Sequence, residues 1–365
     1  MEIKVVVGSN YGDCGKGLVS GCLAKEAAEQ HKKVLTVFYN GCAQRCHHSN
    51  GRDLHCIGAG NFFGGDTFYH ERFVLDPMTL WITGEKVIID PACRVILPCD
   101  ILINRGKEIA RDEKRHGSCG MGLFEAVKRS KNEEDAVYAG ELMFPYRLYK
   151  KVKRIMEKYT YMNKYACQFN DDLYNLDNWM RAVDYVVKNC EFSGIMSVLP
   201  RYDEVIFEGG QGLLLDQSHI NETVHLTPSS VGSYNIANMI NFLSEPADIY
   251  YVSRTYMTRH GAGEMEAECK REEINPDIVD KTNMPNPWQG DLRFGYINQD
   301  TLAERVRKDF AAYSNANAHM VFTQLNYTNG MIATGTNVRE HIKRPDFVKS
   351  IIGSDKEDFM TTLDM

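Results

Sequence analysis

Long apolar segments and an excess of positive charge are both missing from this chain of 365 residues. No run of about 18 apolar residues occurs and the N-terminus has no secretory pattern, so we expect a cytoplasmic protein without a membrane partner. Acidic residues (49 Asp and Glu) outnumber basic ones (42 Lys and Arg), and the resulting net charge of −7 argues against nucleic acid as a partner. A globular protein that binds small molecules is the class that remains.

The sequence also lacks a paired cysteine pattern. Its 11 cysteines are scattered and odd in number, so most are expected to be reduced, small and buried. Cys42 and Cys46 lie close to His47 and His48, a combination that can bind zinc, but no second pair follows at zinc-finger spacing. A zinc site built on thiolates is therefore disfavoured.

A glycine-rich loop stands between a short apolar stretch and a helical pattern near the N-terminus. The β-branched residues 5–7 predict a buried strand, and residues 18–30, rich in Ala, Leu, Glu and Lys, predict a helix. This order directs backbone N–H groups and a helix dipole at phosphate. Lys16 would add a positive charge, and Asp13 would hold a metal ion or move a proton. The glycines of this candidate phosphate site are Gly12, Gly15 and Gly17.

This loop differs from the common P-loop. The P-loop pattern has Ser or Thr at the place of Gly17, so an ordinary P-loop kinase or NTPase is disfavoured. A tight strand–helix turn without function is the alternative for any single glycine loop. The combination Gly-Asp-x-Gly-Lys-Gly is more specific than glycines alone.

Strand and helix patterns alternate along the chain, which predicts an α/β fold with a large, mainly parallel sheet covered by helices. Polar loops follow five of the predicted strands, and in such sheets these loops converge on one crevice. Residues 133–190 are rich in Lys, Tyr, Met and Glu at helical spacing. We expect a single domain over 1–365, with a helical insertion at about 133–190 and a last strand at 320–325.

Side chains in these loops are candidates for moving protons and for binding a purine. Asp13 could take a proton from a substrate nitrogen or oxygen, or help to hold Mg2+. His47 could donate a proton to an oxygen that receives a phosphoryl group, and the amide of Gln211 suits a purine edge. Arg259 and Arg293 are candidate anion clamps. Taken singly, each is more often an ordinary surface residue.

Five loops, in order, resemble those of the adenylosuccinate synthetase superfamily. The family patterns are Gly-x-x-x-Gly-Asp-x-Gly-Lys-Gly, then Gly-His-Thr, then Gly-Thr-Thr-Gly-x-Gly, then Glu-Gly-x-Gln-Gly followed by Asp, and finally Thr-Arg-x-Gly-x-Gly. The corresponding segments here are 8–17, 46–48, 117–122, 208–216 and 258–263. His47 aligns with the histidine of the second pattern. Together the matches span most of the chain.

The resemblance implies a P-loop-like adenylosuccinate synthetase fold and a two-step ligation that uses Mg2+. Phosphate moves from a nucleoside triphosphate to the 6-oxygen of a purine nucleotide, and the amino group of aspartate then displaces it. In this scheme Asp13 is the base at N1 and a Mg2+ ligand, and His47 is the acid. Lys16 and Gly15 hold the donor phosphate, and Gln211 orients the 6-oxo group.

The resemblance also implies binding residues and an assembly. Ser118 and Thr227 would hold the phosphate or sugar of the substrate. Family members are homodimers in which an arginine crosses into the partner's site, and Arg129 is the nearest candidate by position. Further candidates for nucleotide binding are Cys119, Gln324, Asn326 and Gly335, and the candidate metal ligands are Asp13 and Cys46.

Three departures from the family pattern bear on the substrates. Asn326 replaces the aspartate that binds guanine and cannot accept both hydrogen bonds from that base, so ATP or dATP is expected rather than GTP. Only Arg293 remains of the aspartate-binding arginine run, which leaves aspartate or another amine as donor. The chain is short, like viral relatives that act on dGMP, but it keeps Asp13, as enzymes acting on IMP do; both substrates stay open.

A nucleotide-binding regulatory protein with the same fold and no catalysis is the alternative function. The altered second loop and the missing arginine run favour it. The joint retention of Asp13, Lys16, His47 and Gln211 argues against it.

Overall fold

The computed structural model describes residues 1–42, 47–49, 52–54, 56–162, 171–219, 225–280, 290–356 and 359–363. The side chain of His47 lies outside this described part. The strands are β1 Glu2–Gly8, β2 Val34–Phe38, β3 His47–Ser49, β4 Arg52–Leu54, β5 Asp66–Tyr69, β6 Val74–Leu75, β7 Ile88–Ile89, β8 Arg94–Val95, β9 Glu191–Phe192, β10 Glu204–Glu208, β11 Ala247–Arg254, β12 Met257–Arg259, β13 Glu268–Cys269, β14 Arg293–Gly295, β15 Ala316–Thr323, β16 Ile332–Gly335, β17 Val338–Glu340, β18 Val348–Lys356 and β19 Phe359–Thr362. The helices are α1 Lys16–Glu29, α2 Pro77–Thr83, α3 Pro98–Arg111, α4 Leu123–Arg129, α5 Pro145–Met162, α6 Leu176–Asn189, α7 Ile195–Val198, α8 Tyr234–Leu243, α9 Arg271–Ile274 and α10 Gln299–Phe310.

Ten strands of the described part form one sheet, in the order β19-β18-β15-β11-β1-β10-β2-β5-β7-β9. Every neighbouring pair is parallel except β18 and β19, which are antiparallel. Helices pack on both faces of its centre, as the apolar run of β1 requires. Val5 and Val7 pack in one core cluster with residues of α8 and α10, whereas Val6 packs with residues of α1. The predicted α/β fold with a mainly parallel, helix-covered sheet is confirmed.

The described part of 133–190 contains the two long helices α5 and α6. Trp179 of α6 is buried, and its indole N–H donates to the Ile96 carbonyl at 3.0 Å. Both helices contribute to one core cluster together with Phe38 and Tyr69, so this segment packs on the β2–β5 half of the sheet. No helix in the described ranges is both long and apolar enough to cross a membrane.

The prediction that 320–325 is the last strand is wrong. That segment belongs to β15, which ends at Thr323, and β18 follows it in the chain and pairs with it in parallel. Lys, Ser and Gly interrupt the apolar residues of β18, so the sequence shows no continuous apolar run there. The strands β16 to β19 therefore follow β15 in the chain, and the order of the central strands of the sheet is unaffected.

Candidate functional site

The candidate site lies where the neighbouring strands β2, β10, β1, β11 and β15 end. These strands are parallel, so their carboxyl ends share one edge of the sheet. The loops that follow them must therefore lie side by side, in the position where open α/β sheets bind ligands. We call this the carboxyl edge.

Lys16 and Gln211 converge on Gly8 at the carboxyl edge. A Cβ atom on Gly8 would lie 2.6 Å from the carbonyl oxygen of Gln211 and 3.1 Å from Nζ of Lys16. Only glycine leaves space for both neighbours at this position. The loop after β1 and the loop after β10 are thus packed together, as the sequence patterns predicted for ligand loops.

Three candidate residues have a left-handed backbone that is unusual for residues with side chains. Asp13 has φ 50°, Gln211 has φ 62° and Gln324 has φ 61°, and each lies in a loop that follows a strand of the carboxyl edge. Such conformations cost energy and concentrate at functional sites. Their position here is independent support for a site built from these loops.

The carboxylate of Asp13 is partly exposed and has no short ion pair among the described residues. Its Oδ2 lies 3.9 Å from Nε2 of His260, and the side chain is 32% exposed. Its backbone is fixed instead, because Nε of Arg254 donates to the Asp13 carbonyl at 2.6 Å and Arg254 also pairs with Asp280. Because its backbone is fixed and its carboxylate is accessible, Asp13 suits the role of a base or a metal ligand.

Asn40, after β2, is bonded to two parts of the connection between β10 and α8, a role that the sequence patterns did not predict. Its Oδ1 accepts from the Gly210 N–H at 2.5 Å, and its Nδ2 donates to the Val231 carbonyl at 3.0 Å. The available signal was a polar residue directly after a buried strand.

The backbone of β3, which begins at His47, lies against α1. The predicted metal ligand Cys46 lies outside the described residues.

Arg259 is already bonded to the chain's own carbonyl groups. Nη1 donates to the Glu264 carbonyl, and Nη2 donates to the carbonyls of His225 at 3.0 Å and Ala262 at 2.9 Å. Its guanidinium carbon also lies 4.5 Å from the ring centre of Tyr11 in the phosphate loop. Burial lowers the pKa of Arg259, although Tyr11 opposes this.

Arg293 is occupied in a similar way. It forms a two-pronged ion pair with Glu268, with Nε–Oε1 at 2.7 Å and Nη2–Oε2 at 2.5 Å. Its Nη1 donates to the carbonyls of Gly261 and Gly263. The structure therefore places both predicted anion clamps at the site but commits them to contacts within the chain.

The loop of residues 117–122 is held by Asn104 of α3. Its Nδ2 donates to Ser118 Oγ at 2.9 Å, and its Oδ1 accepts from the Gly122 N–H at 3.2 Å. Burial raises the pKa of the Cys119 thiol to about 11, so Cys119 is protonated at neutral pH. Ser118 and Cys119 are thus positioned as neutral hydrogen-bonding groups.

Three loops meet around a pair of histidines. The rings of His116 and His225 are 4.5 Å apart in an edge-to-face arrangement, and the Ala262 N–H donates to the His116 carbonyl at 2.9 Å. Burial lowers the pKa of both histidines. Thr227, which follows His225 closely in the chain, is buried, and its N–H donates to the Leu215 carbonyl.

The candidate base-binding segment lies beside the phosphate loop. Thr323 Oγ1 donates to the Cys14 carbonyl at 2.8 Å, and the Thr255 hydroxyl donates to the Gln324 carbonyl at 3.2 Å. Asn326 lies in the short turn of helix that follows, Leu325–Tyr327. Gln324 and Asn326 therefore follow a strand end that is bonded directly to the phosphate loop.

Gly335 ends β16, which is attached to the same region. The Ala333 N–H of β16 donates to the Thr255 carbonyl at 3.0 Å. This bond places the β16–β17 hairpin next to the ends of β11 and β15.

The family model described as adenylosuccinate synthetase matches residues 5–285. The chain belongs to the adenylosuccinate synthetase family. Curated relatives with that name include the protein of Shewanella piezotolerans, 27% identical over 284 residues, a match that covers 73% of this chain and 65% of that protein. Adenylosuccinate synthetase 1 of Pseudoalteromonas translucida is 25% identical over 373 residues, covering 92% of this chain and 81% of the relative.

Solved structures show the same fold. The fully ligated adenylosuccinate synthetase of Plasmodium falciparum superposes with a TM-score of 0.71 at 14% identity, covering 90% of this chain and 78% of that one. The succinoaminodeoxyadenylate synthetase of cyanophage S-2L, bound to dGMP and dATP as an energy donor, superposes with a TM-score of 0.59 at 14% identity, covering 94% and 96%. At these identities the likeness establishes the adenylosuccinate synthetase fold alone.

Arg129 does not fit the role of the arginine that crosses between subunits of adenylosuccinate synthetase. It is 1% exposed, and its guanidinium binds both carboxylate oxygens of Asp100 and the carbonyls of Val95 and Asp135 within its own chain. The pairing satisfies a charge that burial would otherwise make costly. Within its own chain Arg129 is thus a structural residue, and these contacts do not favour the predicted crossing role.

A metal ion at this site would have to be shared with a bound ligand. The described residues contain no group of three or more His, Cys, Asp or Glu side chains that could hold one. Mg2+ suits this arrangement, because it is commonly held by one or two carboxylates together with phosphate and water oxygens. The accessible Asp13 fits such a role. A thiolate such as that of Cys46 is a soft ligand and does not suit Mg2+.

Proposed function

We propose that this chain is a purine nucleotide ligase, which phosphorylates the 6-oxo group of IMP or dGMP and replaces it with the amino group of aspartate. The observation that supports this most is the convergence of Lys16 and the Gln211 loop on Gly8. A triphosphate bound at the first loop would meet a purine edge bound at the second.

In the first step, Asp13 takes the proton from N1 of the purine, which moves negative charge to O6. O6 then attacks the γ-phosphorus of the donor, the bond to the bridging oxygen breaks, and the nucleoside diphosphate leaves. Lys16 stabilises charge on the transferring phosphoryl group, and His47 donates a hydrogen bond to the oxygen that receives it. Mg2+, held by Asp13 and the phosphates, would neutralise further charge.

In the second step, the amino nitrogen of aspartate attacks C6 and forms the new C–N bond. Phosphate leaves with O6, and the amine loses a proton. Gln211 holds the purine edge during both steps, because its amide can donate and accept hydrogen bonds. The product is the N6-succinyl purine nucleotide.

The proposed phosphoryl donor is ATP or dATP rather than GTP. Asn326 is neutral and cannot accept the two hydrogen bonds that guanine offers from N1–H and its 2-amino group. Its segment lies beside the phosphate loop through the Thr323–Cys14 bond, where the base of a donor would follow. The dATP bound by the cyanophage relative is consistent with this choice.

A matrix of substrates tests the proposal. Purified protein with Mg2+ and aspartate is supplied with IMP or dGMP and with ATP, dATP or GTP, and phosphate release and the ultraviolet spectrum of the product are followed. We expect turnover with IMP or dGMP and the adenine donors. Absence of turnover in every combination would reject the ligase and favour a nucleotide-binding protein without catalysis.

That second candidate has one observation in its favour. Arg259 and Arg293 are both bonded within the chain, which leaves fewer cations for substrate anions. Equilibrium binding of the same nucleotides separates the candidates, because the regulatory protein would bind them without releasing phosphate.

We also propose a homodimer, which sedimentation would detect as twice the chain mass of 41.6 kDa.

A further inference from the structure

Two arginines face each other in a small sheet beside the phosphate loop. β14 pairs in antiparallel fashion with β12 and with β13, and Arg259 lies directly opposite Arg293 in the register. Like charges directly opposite each other on neighbouring strands are unfavourable. The arrangement therefore calls for an anion.

Glu268 of β13 supplies that anion. Both of its carboxylate oxygens bind Arg293, in the planar two-pronged geometry by which a guanidinium recognises any carboxylate. The pair with Arg293 lowers the pKa of Glu268, and Arg259 lowers it further. Glu268 is thus charged at neutral pH and serves both guanidinium groups.

This ion pair is accessible and close to the reacting groups. The side chains of Arg293 and Glu268 are 26% and 44% exposed. Arg293 donates to the Gly261 carbonyl, and the preceding residue, His260, lies 3.9 Å from the Asp13 carboxylate. An incoming carboxylate could therefore reach Arg293 from solvent without unfolding the loop.

We propose that Glu268 is an internal carboxylate that occupies the anion site of Arg293, and that a carboxylate of the amino donor displaces it during turnover. This inference rests on the proposed function, since it names how the donor of that reaction is bound. Glu268 is then a specificity-determining residue. It favours donors whose carboxylate competes well for a bidentate guanidinium and weakens the apparent affinity for all of them.

Removing the charge of Glu268 should strengthen donor binding. We expect Glu268→Gln to lower KM for aspartate about two- to fivefold, the range set by a partly exposed ion pair. KM for the purine nucleotide and for the triphosphate should stay unchanged. Succinate, which has the carboxylates of aspartate but no amine, should inhibit the variant more strongly by a similar factor.

Glu272→Gln is the matched control, because Glu272 pairs with Arg271 on the exposed surface and its loss changes net charge equally. It should leave the KM for aspartate unchanged. Arg293→Lys should raise that KM, since lysine cannot offer the two parallel donors. A thermal melt of each variant checks that the fold is kept.

An unchanged or raised KM for aspartate in Glu268→Gln, with a folded and active protein, would overturn the inference while the ligase function stands. If the wild-type protein shows no turnover, titration calorimetry with succinate still decides. Tighter binding by Glu268→Gln than by the wild type supports the competition, and equal or weaker binding, including none by either protein, overturns it.

Discussion

The phosphate loop after β1 and the small sheet of β12, β13 and β14 both carry cations that sequence patterns assigned to anion binding, but these cations differ in what they already contact. In the described part of the chain, Nζ of Lys16 has the sulfur of Cys14, at 3.8 Å, as its hydrogen-bonding partner. Arg259 and Arg293 are bonded to backbone carbonyls and, for Arg293, to Glu268. A motif locates a side chain, whereas contacts from outside the motif decide whether its charge is available.

The largest expected effect is on the catalytic rate, and it concerns Asp13 in the phosphate loop after β1. Asp13→Asn should lower kcat by about 10²- to 10⁴-fold, because the variant keeps the shape but cannot accept the N1 proton. Stopped-flow phosphate release measures the rate, and nucleotide titration checks binding.

Asp112→Asn is the matched control for this prediction. Asp112 also has a positive φ, of 49°, but it follows α3 and not a strand of the carboxyl edge. It should keep full activity. An active Asp13→Asn enzyme would show that proton removal at N1 does not depend on this carboxylate.

A second prediction contrasts the effects of replacing Lys16 and Arg259 on stability and on triphosphate binding. Arg259→Met should lower the free energy of unfolding by about 1–3 kcal/mol, because buried carbonyls lose their donors. Lys16→Met should change stability little and should weaken triphosphate binding instead. Urea denaturation and nucleotide titration of both variants give the two quantities. The reverse result, with Lys16 needed for stability and Arg259 for affinity, would invert our assignment of the two loops.

The same distinction explains what the sequence could predict. The pattern of β-branched residues and glycines was sufficient for β1, α1 and the place of Gln211, since these depend on local propensity and on strand ends. The pairing of Glu268 with Arg293 and the contacts of Asn40 with Gly210 and Val231 join segments far apart in the chain. No local pattern encodes them, so they emerged only with the fold.

Arg129 is the clearest case of that limit. Its sequence position matched an arginine of the family, but Asp100, 29 residues earlier, takes up its guanidinium. Asp100 also caps its own helix by accepting from the Leu97 N–H at 2.8 Å. A carboxylate at a helix start is ordinarily interpreted as a cap alone, so the sequence offered no sign that it would bind Arg129.

A third, smaller effect concerns the choice of donor beside the phosphate loop. Asn326→Asp should shift the preference between ATP and GTP about tenfold towards GTP, since a carboxylate can accept both guanine hydrogen bonds. The ratio of kcat/KM for the two triphosphates measures it. Asn329→Asp, a neighbouring residue outside the helical turn, should leave the ratio unchanged. An unaltered ratio in Asn326→Asp would remove this side chain from base recognition.

The smallest predicted effect is a dependence of stability on pH, and it concerns the loops around Arg259. Burial lowers the pKa of His116 and His225 below the ordinary value of 6.5, and nearby arginines act in the same direction. As the pH falls below 6.5, the unfolded chain therefore binds protons that the folded chain does not, and stability decreases. Residues 8–17 contain no histidine, so this dependence belongs to the other loops.

Urea denaturation at pH 7.5 and pH 5.5 tests this dependence. The double variant His116→Gln/His225→Gln should lose less stability between the two pH values than the wild type does. The buried His70, whose pKa burial lowers to about 4, contributes to the loss in both proteins and cancels in the comparison. Replacement of the exposed His341 by Gln is the control and should keep the wild-type slope. Equal slopes for the double variant and the wild type would mean that protonation of this pair does not oppose folding, and that the loops around Arg259 tolerate added charge.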